Sequence, residues 1–332
     1  MSIVTILKNE EFPDFKYYIK TNVPRKKAFV SNVSCKPFSK IEMCVDYGQI
    51  KPSQARAIGT ISDYMFCLVL ARFVSKNKDT IYESLNYSAI QIYERCIKNN
   101  FLTNDRSREK QHFEDAIRAT KNYVYNKNDT IEAVIQAAYT ITKMDNYLNY
   151  NAWGSKEQFF SSLLMTCEDE VVAQVKQLIC VFQNKFIESG LVHENSTVIC
   201  HLSFDPWSFV CGGGVADIYI DGVLYDFKST KDIGYHWEDV GQVYAYYLLS
   251  CLVKRSYDQE NSKDENNQTE ELDVKKIAVY FSRYGDIESC DLLQCGKNVS
   301  DEDLIWLESI INQRAEEQNE KFRELNRILE CY

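Results

Sequence analysis

Proline and glycine are scarce in this chain of 332 residues, at 5 and 12 respectively. A turn-dense all-β sandwich needs more of both, so substantial helix is expected. Long apolar runs are missing too. Stretches such as residues 64–70 (YMFCLVL) fall far short of the ~20 residues of a spanning helix, which excludes that class of membrane protein. The opening MSIVTILKNEEF lacks a basic region leading into an apolar one, so no signal peptide is read there. Twelve cysteines are present but no two stand three apart, which removes C-x-x-C and zinc-ribbon spacings. The expected setting is a reducing cytoplasm with free thiols, where the N-x-S/T triplets carry no glycan meaning. Also missing are H-E-x-x-H, a Ser nucleophile elbow, a Rossmann G-x-G-x-x-G, and a P-loop after Gly212-Gly213-Gly214.

Excess positive charge is absent as well. Lys and Arg number 38 against 48 Asp and Glu, a net of −10, which excludes a general basic nucleic-acid coat protein. The balance is uneven. Residues 1–60 hold ten bases and five acids, a net of +5, so the remainder carries −15. A local basic groove is compatible with that asymmetry, and Arg25-Lys26-Lys27 could contact a nucleic-acid backbone, although a solvated charge run is the commoner fate.

The 45% hydrophobic content suits a globular chain of one large domain or two modest ones. Four of the five prolines lie within residues 1–52, which therefore read as turns, short strands and short helices. Pro52 and Ser53, the latter a candidate cap, open a helix to about residue 74, with Ile58, Ile61, Met65, Leu68 and Phe73 on one stripe. Helices follow at roughly 84–99, 106–125, 129–149 and 155–189, with Asp or Ser caps at their starts, as at Asp129 and Ser155. From residue 196 the texture alternates as strand does, then as a hairpin over 214–228, a helix over 235–252, a polar loop over 255–273, and strands over 276–282 and 287–293. A helix over 301–330 closes the chain, with Leu304, Leu307, Ile311, Ala315, Phe322, Leu325 and Leu329 on a stripe that packs on the body or on a partner.

The hairpin carries the chemistry. Asp221-Gly222 between two β-rich runs signals a two-residue turn. Ile220 then faces Val223, and Asp217 stands directly opposite Asp226. Alternation puts Ala216, Ile218, Ile220, Val223, Tyr225 and Phe227 on an apolar face. The other face holds Asp217, Asp226 and Lys228 with Tyr219, Leu224 and Val215. Opposed carboxylates repel by roughly 0.2–1 kcal/mol. A divalent cation offsets that naturally, since Mg²⁺ takes one or two carboxylates with waters and phosphate oxygens. The bland alternative is a solvated outer face with its acids splayed apart. On the following helix Glu238, Gln242 and Tyr246 share a face at i, i+4, i+8, and could reach substrate phosphates beside the hairpin.

Asp217, then Asp226-Phe227-Lys228, then Gln242-x-x-x-Tyr246 resembles the PD-(D/E)xK phosphodiesterase superfamily, in its RecB-type and CRISPR-associated exonuclease branch. The resemblance spans about residues 53–76 and 160–300. It implies an α/β fold with a restriction-endonuclease-like core, a small mixed sheet flanked by helices, and a large helical insertion. It also implies hydrolysis of DNA phosphodiester bonds with Mg²⁺ or Mn²⁺, in DNA processing, repair or defence against foreign DNA. Asp217 and Asp226 would hold the metal together with the Phe227 carbonyl. Lys228 would orient water or support developing charge, while Gln242 and Tyr246 position the strand. The branch opens its first core helix with G-x-x-x-H, whereas this chain has Gly59-Thr60-Ile61-Ser62-Asp63. Asp63 could substitute as an oxygen ligand. Glu168, Asp169 or Glu170 could add an acid. Some members carry an iron–sulfur cluster on four cysteines. Cys290, Cys295 and Cys331, with Cys35 or Cys44, lack its close spacing and read as buried or incidental thiols.

The expected organisation is a basic segment over 1–52, the first core helix and helical insertion over 53–170, the nuclease core over 171–300 and a terminal helix over 301–332. The expected partners are DNA and a helicase or other DNA-handling protein, with no membrane. His201 and His236 could each approach a phosphate, but a surface or satisfied histidine is the commoner case. The competing reading is a catalytically silent module of the same type that binds nucleic acid or scaffolds a complex.

Overall fold

The computed structural model describes residues 3–9, 11–99, 101–102, 104–125, 129–149, 156–211, 213–261 and 272–330. Two short helices, α1 (Ile3–Lys8) and α2 (Pro13–Asn22), precede a two-residue strand β1 (Val30–Ser31). Then come α3 (Pro52–Phe73), α4 (Lys78–Lys98), α5 (Ser107–Val124), α6 (Ile131–Asp145), α7 (Lys156–Leu163) and α8 (Asp169–Phe182). The second half holds β2 (Val198–Ser203), α9 (Trp207–Val210), β3 (Val215–Ile220), β4 (Val223–Lys228), α10 (Trp237–Asn261), β5 (Lys276–Phe281), β6 (Asp286–Asp291) and α11 (Asp301–Glu330).

The strands form one mixed sheet in the order β1-β6-β5-β4-β3-β2. Only β4 and β5 run parallel, joined by the crossover through α10; the other neighbours are antiparallel. Helices cover both faces. On one, Phe66 of α3 and Phe182 of α8 stack at 4.4 Å and meet the edges of Phe227 and Tyr280. On the other, α10 packs with α1, α2 and α11 over Leu224, Ile277, Val279 and Phe281. Each fully buried side chain of this size contributes about 1.5–3 kcal/mol, so period-2 strands with two apolar faces bind both helical layers.

Several boundaries differ from expectation. Pro52 is the first residue of α3 and Lys51 its cap position; the Lys51 N–H donates to Gln54 Oε1 at 2.9 Å, so Ser53 is not the cap. The continuous helix expected over 155–189 breaks between Leu163 and Asp169. The Gln136 side chain causes this from α6. Its Oε1 accepts from the Cys167 N–H at 2.7 Å and its Nε2 donates to the Cys167 carbonyl at 3.1 Å. A distant amide thereby takes the bonds a helix would have made. The helix expected to stop near residue 252 continues to Asn261, so the front of the expected polar loop is helical, while 262–271 lie outside the described residues. Leu304, Leu307 and Ile311 are buried in the α10 core, so that part of the α11 stripe packs on the body; the side chains at 322, 325 and 329 lie outside the described residues.

The join of β1 to β6 carries two buried acids. Asp286 accepts from Ser31 Oγ at 2.8 Å, and Glu288 Oε1 accepts from the Phe38 N–H at 2.6 Å while its Oε2 has no partner. Burial pushes the Glu288 carboxyl from its ordinary 4.5 up to about 8, against the opposing pull of the Phe38 N–H. The folded chain therefore binds more protons than the unfolded one between those values, so stability falls as pH rises through that window. Glu288→Gln keeps the acceptor for Phe38 and has no charge to desolvate. Its melting temperature is expected to drop less than that of the wild type between pH 6 and pH 8.5. Equal drops in thermal unfolding would contradict this role for Glu288.

Candidate active site

The turn residues Asp221 (φ 45°) and Gly222 (φ 93°) both lie in the left-handed region, as a two-residue hairpin turn demands. The register is Ile220↔Val223, Tyr219↔Leu224 and Ile218↔Tyr225. Beyond it, backbone pairing gives way to a side chain: the Phe227 N–H donates to Asp217 Oδ2 at 2.6 Å. This bond fixes the Asp217 carboxylate against the strand that carries Asp226.

Asp226 is only 1% exposed, so its face is not a solvated one. Its Oδ2 lies 2.7 Å from Lys228 Nζ and has no other donor. Lys228 Nζ also donates to Gln242 Oε1 at 3.1 Å, and Gln242 Nε2 donates to the Tyr246 hydroxyl at 2.8 Å. Tyr246 is buried and stacks on Phe204, so it acts on the site by orienting Gln242. Asp239 Oδ1 lies 3.8 Å from Lys228. Sequence reasoning named Glu238 for that helix face; Asp239, one turn before Gln242, is the acid that faces the lysine. After Lys228 the chain is held by buried Arg283, whose Nε donates to the Ser229 carbonyl at 3.0 Å.

Asp63 reaches the same place from α3. A cavity of about 140 Å³ is lined by Asp63, Asp217, His201 and Asp145, among others. Asp63 Oδ1 is buried without a hydrogen-bond partner. Burial, then the charges of Asp217 and Asp226, hold the Asp63 carboxyl well above the ordinary carboxylate range. Asp217 is pushed up to about 7, by burial first and Asp226 second, with the Phe227 N–H and Lys228 pulling back. Asp226 is raised by burial against the opposing effect of Lys228. Burial alone would lower Lys228, but Asp226, Asp239 and Asp217 outweigh it and keep the ammonium charged.

His201 was set aside in the sequence as an ordinary histidine. Its backbone φ is 50°, inside a strand, and it lies opposite Asp217 between the pairs Cys200↔Ile218 and Leu202↔Ala216. Such a conformation costs of order 1–3 kcal/mol in a residue with a side chain. The strand pair changes faces here. Cys200 and Ile218 join the core under α3, whereas Leu202 and Ala216 join the core under α10, which corrects the single apolar face expected for Ala216. Period-2 alternation carries no signal of such a twist.

The remaining sequence candidates fall around this centre. Glu168 occupies the position before α8 without a side-chain capping bond and accepts from Gln54 Nε2 at 2.6 Å, away from the carboxylate cavity; Asp169 and Glu170 are exposed. Arg25, Lys26 and Lys27 are exposed on a turn docked beside the segment after β4, through the Tyr235 hydroxyl donating to the Pro24 carbonyl at 2.8 Å. His236 is exposed just before α10. Cys290 and Cys295 sit 3.3 Å apart, Cys35 and Cys44 are exposed, and Cys331 lies outside the described residues. Gly214 is the point of close backbone approach, where an added Cβ would meet Ile3 of α1; Gly212 lies outside the described residues.

Among the described residues no group of three His, Cys, Asp or Glu is placed to hold a metal ion by itself. Mg²⁺ needs fewer, since it binds through one or two carboxylates and keeps its waters. Half-buried Asp217, buried Asp226 and the orphaned Asp63 Oδ1 fit such a cation. Among the described residues no helix is long and apolar enough to cross a membrane. No protein-family model matches the chain, and neither does any curated protein or solved structure.

The crowding of acids has a cost that can be measured. Without a cation, Asp63 must either hold a buried charge or bind a proton. Asp63→Asn does neither. At pH 8 in EDTA the variant is expected to melt a few degrees above the wild type by calorimetry, and an equal or lower melting temperature would contradict the reading.

Proposed function

We propose that this protein is a divalent-cation-dependent nuclease of the PD-(D/E)xK type that hydrolyses DNA phosphodiester bonds. One observation carries the reading. Half-buried Asp217 and fully buried Asp226 are held on adjacent strands, with a third acid beside them and a lysine between the strands and α10. A mixed sheet with helices on both faces, and a β-hairpin followed by a crossover helix, supports a restriction-endonuclease-like core.

Asp217, Asp226 and the Phe227 carbonyl would hold Mg²⁺ or Mn²⁺, with Asp63 as a further oxygen ligand. The ion would stabilise charge at phosphorus and lower the pKa of water. The chain's own residues do the rest. An ammonium has three donors. Lys228 donates to Gln242 and forms an ion pair with Asp226, and Asp239 at 3.8 Å is beyond hydrogen-bond reach, so the ammonium keeps donor capacity for a water or a phosphoryl oxygen. Gln242, gripped by Tyr246, holds that lysine in place. The exposed Arg25, Lys26, Lys27 and His236 offer phosphate-backbone contacts next to the segment leading from Lys228 to α10. Outside the basic first 60 residues the chain carries −15, so firm hold on DNA calls for a helicase or another DNA-handling partner.

The 2.7 Å ion pair between Asp226 and Lys228 favours one competing reading, a silent module whose acid is neutralised from within. A cleavage assay separates the two. Linear, circular and single-stranded DNA are incubated with Mg²⁺ or Mn²⁺, with EDTA controls. Wild-type cleavage is expected, abolished by EDTA, and reduced at least ~10²-fold in Asp226→Ala and in Lys228→Ala. No cleavage of any of these substrates by folded wild type would overturn the nuclease reading in favour of the silent module.

A further inference from the structure

A second, larger cleft of about 520 Å³ opens between α3 and α6. It touches the carboxylate site, because Thr60 of α3 and Thr142 of α6 line both the cleft and the 140 Å³ cavity that holds Asp63 and Asp217. Its size is that of a small-molecule site.

The charges in it are unbalanced. Arg56 and Lys143 line the cleft, and the one acid there, Glu168, is already engaged by Gln54 at 2.6 Å. Lys143 Nζ donates to the Ser162 carbonyl at 2.7 Å and lies 4.0 Å from the centre of the Tyr139 ring. Neither partner carries a charge. Burial pulls the Lys143 ammonium down to about 8, against a smaller opposing effect of Cys167, and among the described residues no carboxylate pairs with it. Ser162 lies in the last turn of α7, so a helix end and a ring face, rather than a carboxylate, hold this half-buried ammonium at the wall of the cleft. Such a group gains most from a bound anion. Beside it, Tyr139 supplies an aromatic surface for a base, and Asn146, whose Nδ2 donates to the Thr142 carbonyl, turns its amide oxygen's acceptor capacity to a sugar hydroxyl.

We propose that this cleft binds a nucleoside monophosphate unit, the terminal nucleotide of the strand being cut, with its phosphate on Lys143 and Arg56. That the nucleotide belongs to a strand being cut rests on the nuclease reading; that the cleft takes a nucleotide rests on its own residues. Because the passage past Thr60 and Thr142 leads to Asp63 and Asp217, a strand end seated here lies next to the carboxylates.

The test measures binding in EDTA, where no cleavage occurs. The full chain is titrated calorimetrically with dAMP, dTMP, deoxyadenosine and inorganic phosphate. Both nucleotides are expected to bind, each at least about tenfold more tightly than deoxyadenosine or phosphate alone. Lys143→Met and Arg56→Gln are each expected to weaken nucleotide binding about tenfold, and Lys143→Arg to retain it. Arg56 is exposed, so its variant reports on binding even if the Lys143 variant misfolds. No nucleotide binding by the wild type overturns the proposal, as does phosphate binding as tightly as dAMP, or binding indifferent to the Arg56 and Lys143 substitutions. Nucleotide binding by a chain that cuts no DNA would leave the cleft assigned and remove the nuclease reading. Cleavage of DNA without nucleotide binding would do the reverse.

Discussion

One ammonium among crowded, partly buried acids sets the terms for this molecule. Lys228 lies 2.7 Å from Asp226 and 3.8 Å from Asp239, with Asp217 and Asp63 close enough to feel its charge. Desolvating each ion costs several kcal/mol, and a single positive charge does not repay that for so many acids. Hydrogen bonds offset part of the cost: the Phe227 N–H serves Asp217 and the Gln242 amide serves Lys228. The remainder is a standing demand for positive charge. Buried groups displaced from their ordinary ionisation concentrate at functional sites, which is why this region carries the functional reading.

The two helical layers make such crowding sustainable. Asp63 arrives from α3 on one face of the sheet, while Asp239, Gln242 and Tyr246 arrive on α10 from the other. They meet where β3 and β4 stop exchanging backbone bonds and the Asp217 side chain takes over. The face change at His201 places Asp217 where it touches both the β4 backbone and the cavity under α3. The aromatic stack of Phe66, Phe182, Phe186, Phe227 and Tyr280 anchors the layers behind it.

What the sequence disclosed and what it hid divide along physical lines. The Asp221-Gly222 turn and its register were legible because few residue pairs accept two successive positive φ values, and the turn then dictates every cross-strand pair. Asp63 was singled out only by the resemblance, through Gly59-Thr60-Ile61-Ser62-Asp63 standing where the branch has G-x-x-x-H; the apolar stripe of its helix does not mark it. The break before α8 was hidden, since no proline or glycine marks it; Gln136, about thirty residues away, makes it. Asp239 was passed over because an i, i+4 rule ranks helix positions by face, whereas a long lysine side chain reaches an acid to one side of that face. The strained backbone of His201 and the cleft at Lys143 arise from packing between segments far apart in the chain, which no local pattern encodes.

The central claim is that Asp217, Asp226 and Asp63 form a cation site. The most direct measurement is Mn²⁺ binding to the purified chain, followed by calorimetry and by the loss of the free-ion signal in electron paramagnetic resonance. Wild type is expected to bind the ion, and Asp217→Asn/Asp226→Asn to lose that binding while remaining folded. Absence of Mn²⁺ binding at millimolar concentrations, or equal binding by the double variant, would contradict the account.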